Sequence, residues 1–413
     1  MPTPETTARR TATLFIFITV LLDTVAGGLA YPVLPKLVSD LSGGDAARVA
    51  QIFGAFGTMF FLIQFFAAPF QGALSDRYGR RPVILISNFG LGADYVMMAL
   101  APTLPWLFAG RVISGAAAGS GAAAYAYMID ITPQEQRTRM FSLLGAASSA
   151  GFALGPALGG LIGSYDLRAP FWIAALLSVL NGLGGLLLLP ESLSKDRRTP
   201  RFSWAAANPV GLTFSLLTRY PMLLWWGLAI AVYVIAVMGP NSIFSVYLAY
   251  RFDWSPRNIG FYLATLGVWS MVTNGLIIPF LTKFLRDRAA IAVGGFSWAV
   301  LITLMGLVPS GVGYVALALV WALSTQINGT SFNSMLTREV SDSDQGQLQG
   351  AARSLNSIVG LAAPAVSAVL LAWGIRTGGK PLSGLPFVAS GVLVVIGTAI
   401  TLRVTRPRLQ TSP

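Results

Sequence analysis

The feature that most constrains this chain is a series of twelve apolar segments, each long enough to cross a lipid bilayer. A membrane-spanning helix needs about 20 mostly apolar residues. The segments, numbered spans 1 to 12, cover residues 12–36, 49–75, 82–101, 104–131, 138–163, 168–190, 222–249, 256–284, 288–308, 312–338, 346–373 and 383–404. They predict an all-α membrane protein of twelve transmembrane helices, with the lipid bilayer as its surroundings.

One connection stands out, because residues 191–221 are polar, basic and contain proline. We therefore predict an N-terminal six-helix bundle (1–190), a linker (191–221) and a C-terminal six-helix bundle (222–413). The loop after span 2, PFQGALSDRYGRR from Pro69, has a degenerate copy after span 8, PFLTKFLRDR from Pro279. Two pseudo-symmetric bundles with a site at mid-membrane are typical of secondary carriers.

The basic residues predict how the chain is oriented. Of 28 Lys and Arg residues, 19 fall on the side that holds the N-terminus and seven on the opposite side. The positive-inside rule then places both termini and the linker in the cytoplasm of a multi-pass bacterial inner-membrane protein. The net charge of +12 is spread over short loops, so no nucleic-acid partner is predicted. No cleavable signal peptide is expected either.

Charged groups inside the spans mark the candidate proton site. The chain has no cysteine and no histidine, so we expect proton chemistry to use carboxylates. Of 16 acidic residues, only Asp23 in span 1 and Asp94 in span 3 lie well inside a span, and Arg111 in span 4 is the candidate counter-charge. Ionisable groups in hydrocarbon are costly and indicate function by default. The alternative is a fixed structural ion pair.

Polar side chains inside the spans are candidates for a substrate cavity, with packing or interface anchoring as the alternative. These candidates are Gln64, Asn181, Tyr233, Asn241, Gln326, Asn328 and Asn333. We predict no metal site, no cofactor and no enzymatic activity, because nothing in the chain resembles a P-loop, a metal cluster or a nucleophile triad.

Two spans carry helix-breaking or small residues in patterns. In span 1, Gly27, Gly28, Pro32 and Pro35 predict a weakened helix beyond Asp23. In span 5, small residues every four positions predict a smooth face that another helix can approach closely, next to a proline that favours a bend. The residues of this face are Gly151, Gly155, Pro156 and Gly159.

Several of these motifs resemble a known family. The loop Gly72–Arg81 (GALSDRYGRR) resembles the hallmark loop between helices 2 and 3 of the major facilitator superfamily. The glycine–proline stretch of span 5 resembles its antiporter motif, and GRVISG from Gly110 resembles its helix 4 motif, which carries an embedded arginine. LLDTVAGGLAYPVLP and MIDITPQEQRTRMF are similar to the tetracycline/proton antiporters within that superfamily.

The resemblance implies roles for individual residues. It implies gating by Asp76, Arg77, Arg80 and Arg81, charge relay by Asp130, and coupling or substrate contact by Asp23, Gln64, Asp94 and Arg111. Independently of the family, a carboxylate at the end of span 2 could cap the positive N-terminus of span 11. We therefore expect Asp76 to lie near Gln345 and Gly346.

One departure limits the resemblance. The tetracycline exporters carry a further carboxylate in helix 9, whereas span 9 reads GGFSW from Gly294 to Trp298. We therefore predict a monomeric, proton-coupled exporter of a small lipophilic or drug-like compound, with coupling in the N-terminal half and poor transport of metal-chelated tetracycline. The open alternatives are a proton symporter that takes up a small metabolite and a non-transporting receptor. The span 5 motif and the scarcity of charge favour export.

Overall fold

The computed structural model describes residues 4–199, 220, 222–281, 286–340 and 345–405. Within them every regular element is helical, and twelve helical stretches are long and apolar enough to cross a membrane. This confirms the twelve predicted spans. The helices are Pro4–Ala30, Leu34–Ser42, Ala46–Tyr78, Arg80–Leu100, Leu104–Ala117, Ser120–Ile131, Arg137–Gly163, Ala169–Leu188, Leu223–Phe252, Pro256–Val272, Ile278–Leu281, Asp287–Leu307, Gly311–Thr337, Gln345–Leu382 and Leu385–Val404, with short 3₁₀ turns at Gln134–Gln136 and Lys195–Arg197 and a π turn at Thr273–Ile277.

Span 1 is interrupted where its composition predicts. Its first helix ends at Ala30, a turn follows, and a second helix begins at Leu34. Pro32 lies in the turn and Pro35 in the first turn of the second helix, where a missing backbone donor is tolerated. The second helix ends at Gly43, whose φ of 83° is the left-handed conformation that glycine adopts without strain.

Side-chain caps mark the start of several spans, among them spans 2 and 10. The carboxylate of Asp45 accepts a hydrogen bond from the backbone N–H of Ala47 at 3.0 Å, at the start of span 2. The hydroxyl of Ser310 accepts one from the backbone N–H of Gly313 at 3.2 Å, at the start of span 10. Each cap satisfies a donor that a helix leaves unpaired at its first turn, so these short polar loops define the helix starts.

The helices pack as two compact units. Unit 1 comprises residues 1–208 and 248–271, and unit 2 comprises residues 209–247 and 272–413. The border near residue 208 falls within the predicted linker, most of which lies outside the described residues. The predicted division into two six-helix bundles stays a prediction. Residues 282–285, which belong to the second copy of the loop motif, also lie outside the described residues.

Within unit 1, span 5 is packed closely on two sides. A Cβ atom added to Gly155 would lie 2.6 Å from the carbonyl oxygen of Val25 and 2.9 Å from the Cα of Gly28, both in span 1. A Cβ on Gly160 would lie 2.9 Å from the Cα of Gly260, in span 8. Backbone therefore meets backbone on both sides, which only residues without side chains allow.

Candidate functional site

Asp23 lies half-buried in span 1 and its described partners are neutral. The Asn181 side-chain amide donates to Asp23 Oδ1 at 3.3 Å, and the Thr19 hydroxyl donates to Asn181 Oδ1 at 3.0 Å. The side chain of Ser120 also hydrogen-bonds to Asp23. An amide donates to a carboxylate, whereas a hydroxyl can either donate or accept. This surrounding therefore accommodates both the ionised and the protonated carboxyl group.

Asp94 lies fully buried in span 3 and is paired with a cation. Arg111 Nη2 lies 3.0 Å from Asp94 Oδ2 and 3.2 Å from Met98 Sδ. The other carboxylate oxygen faces Gly110, where a Cβ would approach it to 2.6 Å. The buried carboxylate therefore has a positive counter-charge at hydrogen-bonding distance. The sequence predicted this pair, and the structure brings it together.

Tyr95, the residue after Asp94, reaches the span that carries Asp23. Tyr95 is buried, and its hydroxyl lies 3.8 Å from where a Cβ on Gly27 of span 1 would be. Sequence reasoning missed Tyr95 and Ser120. The available signal was weak, because both are uncharged and Ser120 sits within a run of alanines and glycines.

A second cluster, the loop cluster, forms around Arg80 between spans 2 and 3. Arg80 Nε lies 3.2 Å from Asp130 Oδ2, and Arg80 Nη1 lies 2.6 Å from Asp76 Oδ1. The Arg80 and Asp130 side chains are only 14% and 11% exposed, whereas Asp76 is 54% exposed. The strong pair is therefore Arg80–Asp130, since screening weakens the exposed pair.

The other two arginines of this loop point elsewhere. The Arg77 guanidinium lies 5.2 Å from the centre of the Tyr78 ring, an exposed cation–π contact. Arg81 Nη2 donates to the carbonyl oxygen of Leu186 at 2.6 Å, at the end of span 6. The expected contact of Asp76 with the start of span 11 stays a prediction.

Sequence reasoning also missed a member of the loop cluster, Glu191. Its carboxylate accepts a hydrogen bond from the backbone N–H of Arg80 at 2.8 Å. The next hydroxyl, Ser192 Oγ, donates to Asp130 Oδ2 at 3.1 Å. The available signal was an acidic residue directly after Pro190, where span 6 leaves the hydrocarbon.

Two predicted cavity residues bond to each other inside unit 2. The Tyr233 hydroxyl and Thr398 Oγ1 are 3.0 Å apart, and the Asn328 amide donates to the Tyr233 oxygen at 3.5 Å and to the Ile291 carbonyl at 3.3 Å. The Tyr233 ring stacks on Trp298 with 5.3 Å between centroids. Of the other candidates, Gln64 and Gln326 are half-buried and Asn241 and Asn333 are exposed.

The smooth face of span 5 lies against span 1, the span that carries Asp23. A Cβ on Gly151 would approach the carbonyl oxygen of Leu21 to 2.8 Å, and Gly159 meets the backbone of Leu29. Pro156 Cδ would lie 2.7 Å from a Cβ on Gly28. The position of the carboxylate-bearing helix therefore depends on these small residues.

Span 9 has no carboxylate at the position expected from the tetracycline exporters. Gly294 lies against span 10, where a Cβ would approach the backbone nitrogen of Asn328 to 2.9 Å. Gly295 lies against span 12, where a Cβ would first meet the side chain of Thr398. Spans 7 to 12 have no Asp or Glu away from their ends. At one such end, Asp287 pairs with Arg338 at 3.0 Å. The interior of these spans is electrically neutral apart from Arg353.

The chain is similar to several known proteins. The sequence profile of the Major Facilitator Superfamily matches residues 16–364. The chain is 34% identical to the tetracycline resistance protein, class C, of Escherichia coli over 93% of this chain and 95% of that protein. It is 31% identical to the class H protein of Pasteurella multocida, over 88% and 89%. A bacterial homologue of the human lysosomal transporter Spinster shares the fold, with a TM-score of 0.77, 16% identity and 98% coverage of both chains.

Proposed function

Because the chain belongs to the Major Facilitator Superfamily, we propose that it is a proton-coupled antiporter that exports small lipophilic, drug-like compounds by alternating access. Its relatives, at 30–34% identity, are tetracycline resistance proteins, which supports export of drug-like compounds. The observation that carries the proposal is a membrane-embedded carboxylate, Asp23, held by neutral hydrogen-bond partners. We further propose that it acts as a monomer in the bacterial inner membrane, with both termini in the cytoplasm.

The geometry supports different roles for the two carboxylates, Asp23 and Asp94. Asp23 has neutral partners, so gaining or losing a proton there breaks no described ion pair. Asp94 is fully buried against Arg111 at 3.0 Å, and protonating it would leave a guanidinium without its counter-ion in a low-dielectric site. We therefore assign proton exchange to Asp23. Asp94 and Arg111 then set the electrostatic field in which that exchange takes place.

The function is tested by drug efflux driven by an imposed proton gradient in everted membrane vesicles. We expect gradient-dependent movement of neutral or singly charged lipophilic compounds such as chloramphenicol, and little movement of magnesium-chelated tetracycline. The neutral walls of spans 7 to 12 offer no second carboxylate to compensate a chelated cation for lost hydration.

Three outcomes are decisive for this test. Gradient-independent flux would remove the antiport mechanism, and flux of a metabolite in the same direction as the proton would support the uptake symporter instead. High-level tetracycline resistance in an efflux-deficient host, dependent on Asp23, would show that the missing span 9 carboxylate is dispensable.

We expect Asp76→Asn to shift the carrier toward its inward-open state. The substitution removes the 2.6 Å ion pair with Arg80 and the negative charge proposed to cap span 11. Exposed ion pairs of this kind contribute about 0.2–1 kcal/mol, which can change the ratio of inward-open to outward-open carriers by up to about fivefold. Because the chain has no cysteine, cysteines introduced at positions 78 and 286 would carry the spin labels specifically. The distance distribution between the two labels, measured by double electron–electron resonance, reports the change.

The matched control for that experiment is Asp40→Asn. Asp40 is an exposed carboxylate like Asp76 and pairs with Lys36 at 2.6 Å over the same four-residue helical spacing, but outside the loop cluster. Its removal should leave the distances unchanged. Identical distributions in wild-type and Asp76→Asn protein would contradict the gating role.

A further inference from the structure

Span 3 begins without a cap of its own. Its first residue is Arg80, and the residue before it is Gly79, which has no side chain to accept the free N–H groups of the first turn. Gly79 has a φ of 109°. A Cβ at this position would collide with the carboxylate of Glu191, so glycine is required for two reasons.

Glu191 supplies the missing cap from the segment that follows span 6. One of its oxygens, Oε1, accepts hydrogen bonds from the backbone N–H groups of Arg80 at 2.8 Å, Ser192 at 3.0 Å and Leu193 at 3.1 Å. A carboxylate at a helix N-terminus is also favoured by the helix dipole. This single side chain therefore joins the start of span 3 to the chain 111 residues later.

The same segment contacts the loop cluster at further points. Ser192 Oγ donates to Asp130 Oδ2 at 3.1 Å, the oxygen that also pairs with Arg80. The Tyr127 hydroxyl donates to the Pro190 carbonyl at 2.9 Å, and the Thr199 backbone N–H donates to a carbonyl at the end of span 2. Residues 190–199 are thus bonded to the cluster through side chains and backbone.

We propose that Glu191 is a positioning residue of the loop cluster, which fixes the backbone of Arg80 where its guanidinium reaches Asp130 and Asp76. The consequence of this proposal, that the segment after span 6 belongs to the gate, rests on the proposed function. The positioning of Arg80 by Glu191 does not. The bonds from Ser192 and Leu193 hold Oε1 in place, and the bond from the Arg80 N–H joins it to span 3. Without that carboxylate the first turn of span 3 loosens and the guanidinium loses its fixed distance to Asp130.

The opposite end of span 3 provides a matched control. Arg168, which precedes span 6, donates from Nη1 to the Ala99 carbonyl at 2.7 Å and from Nη2 to the Ala101 carbonyl at 2.8 Å. A residue flanking span 6 therefore caps each end of span 3, with the charge that the helix dipole favours. Arg168→Ala removes a comparable clamp from the same helix pair at the end far from Arg80.

The test measures the reactivity of Arg80 with phenylglyoxal, an arginine-selective dicarbonyl, by peptide mass spectrometry of the purified full-length protein. In Glu191→Ala we expect the rate of Arg80 modification to rise by about tenfold, the effect of losing bonds to a charged group. Glu191→Gln keeps an acceptor oxygen and should raise the rate only by about threefold. Arg168→Ala should leave the modification rate of Arg80 at its wild-type value. The modification rate of the exposed Arg77 should be the same in every variant.

Transport is measured on the same variants, where we expect Glu191→Ala to lower the maximal rate and leave the half-saturating concentration unchanged. An unchanged Arg80 rate in folded Glu191→Ala protein overturns the proposal, and so does an equal rise in Arg168→Ala, which would indicate general loosening of span 3. If Glu191→Ala does not fold, an unchanged rate in Glu191→Gln overturns it as well. Absence of transport in the wild-type protein would overturn the antiporter function but not the arginine result.

Discussion

Replacing Asp23 by Asn is expected to abolish proton-driven transport and to leave the chain folded and inserted in the membrane. Asparagine has nearly the same shape and still bonds to Asn181 and Ser120, so the packing around span 1 stays intact. It cannot ionise, so no proton can be exchanged at this position. The chain has no histidine, and the other described carboxylate within the spans, Asp94, is already paired with Arg111, so we expect neither to replace Asp23 in the exchange.

The measurement is substrate flux in everted vesicles with an imposed pH gradient, for which we expect the rate of vesicles without the protein. Asp23→Glu keeps an ionisable group on a longer side chain and should retain part of the flux. Asp40→Asn, an exposed carboxylate in a surface ion pair, should transport normally. Gradient-dependent flux near the wild-type value in Asp23→Asn would remove this carboxylate from the mechanism.

Replacing Gly155 by Ala is expected to destabilise the protein and to impair transport strongly. The added Cβ would lie 2.6 Å from the carbonyl oxygen of Val25 and 2.9 Å from the Cα of Gly28. Both neighbours are backbone atoms that no change of side-chain conformation can move away. Overpacking of this kind typically costs about 1–3 kcal/mol, and relief requires span 1, with its carboxylate, to shift.

Gly145→Ala is the matched control, because Gly145 lies in the same helix and a Cβ there would meet no atom of another described segment within 4 Å. Alanine is favoured over glycine in a helix by about 1 kcal/mol, so this variant should be as stable as wild type or more stable. The melting temperature in detergent and the transport rate separate the two variants. Equal values for both would show that the contact between spans 5 and 1 tolerates a methyl group.

The spans could be predicted from the sequence to within a few residues at most boundaries. Span 3 was expected at 82–101 and runs Arg80–Leu100, and span 4 was expected at 104–131 and ends at Ile131. Span 1 was predicted to end at residue 36, whereas its helical stretch extends to Ser42. Leu34–Ser42 is a separate helix of mixed polarity, so a window that averages hydropathy does not include its end.

The roles of the polar residues in the spans are harder to assign from the sequence, because a polar side chain in a span can face a cavity or a neighbouring helix. Asn181 was expected in the substrate cavity, and its described contacts are Thr19 and Asp23. Asn328 bonds to Tyr233 and to a backbone carbonyl within unit 2. Which of these residues contact substrate stays a prediction.

The sequence by itself determined the twelve spans, the two carboxylates within them and the absence of histidine and cysteine. These are properties of single segments, since the cost of placing a residue in hydrocarbon depends on that residue and its neighbours along the chain. The tertiary structure decided the partners: neutral amide and hydroxyl groups for Asp23, Arg111 for Asp94, and Glu191 for the start of span 3. A hydrogen bond requires atoms within about 3 Å of each other, and that distance is set by how helices far apart in the chain pack together.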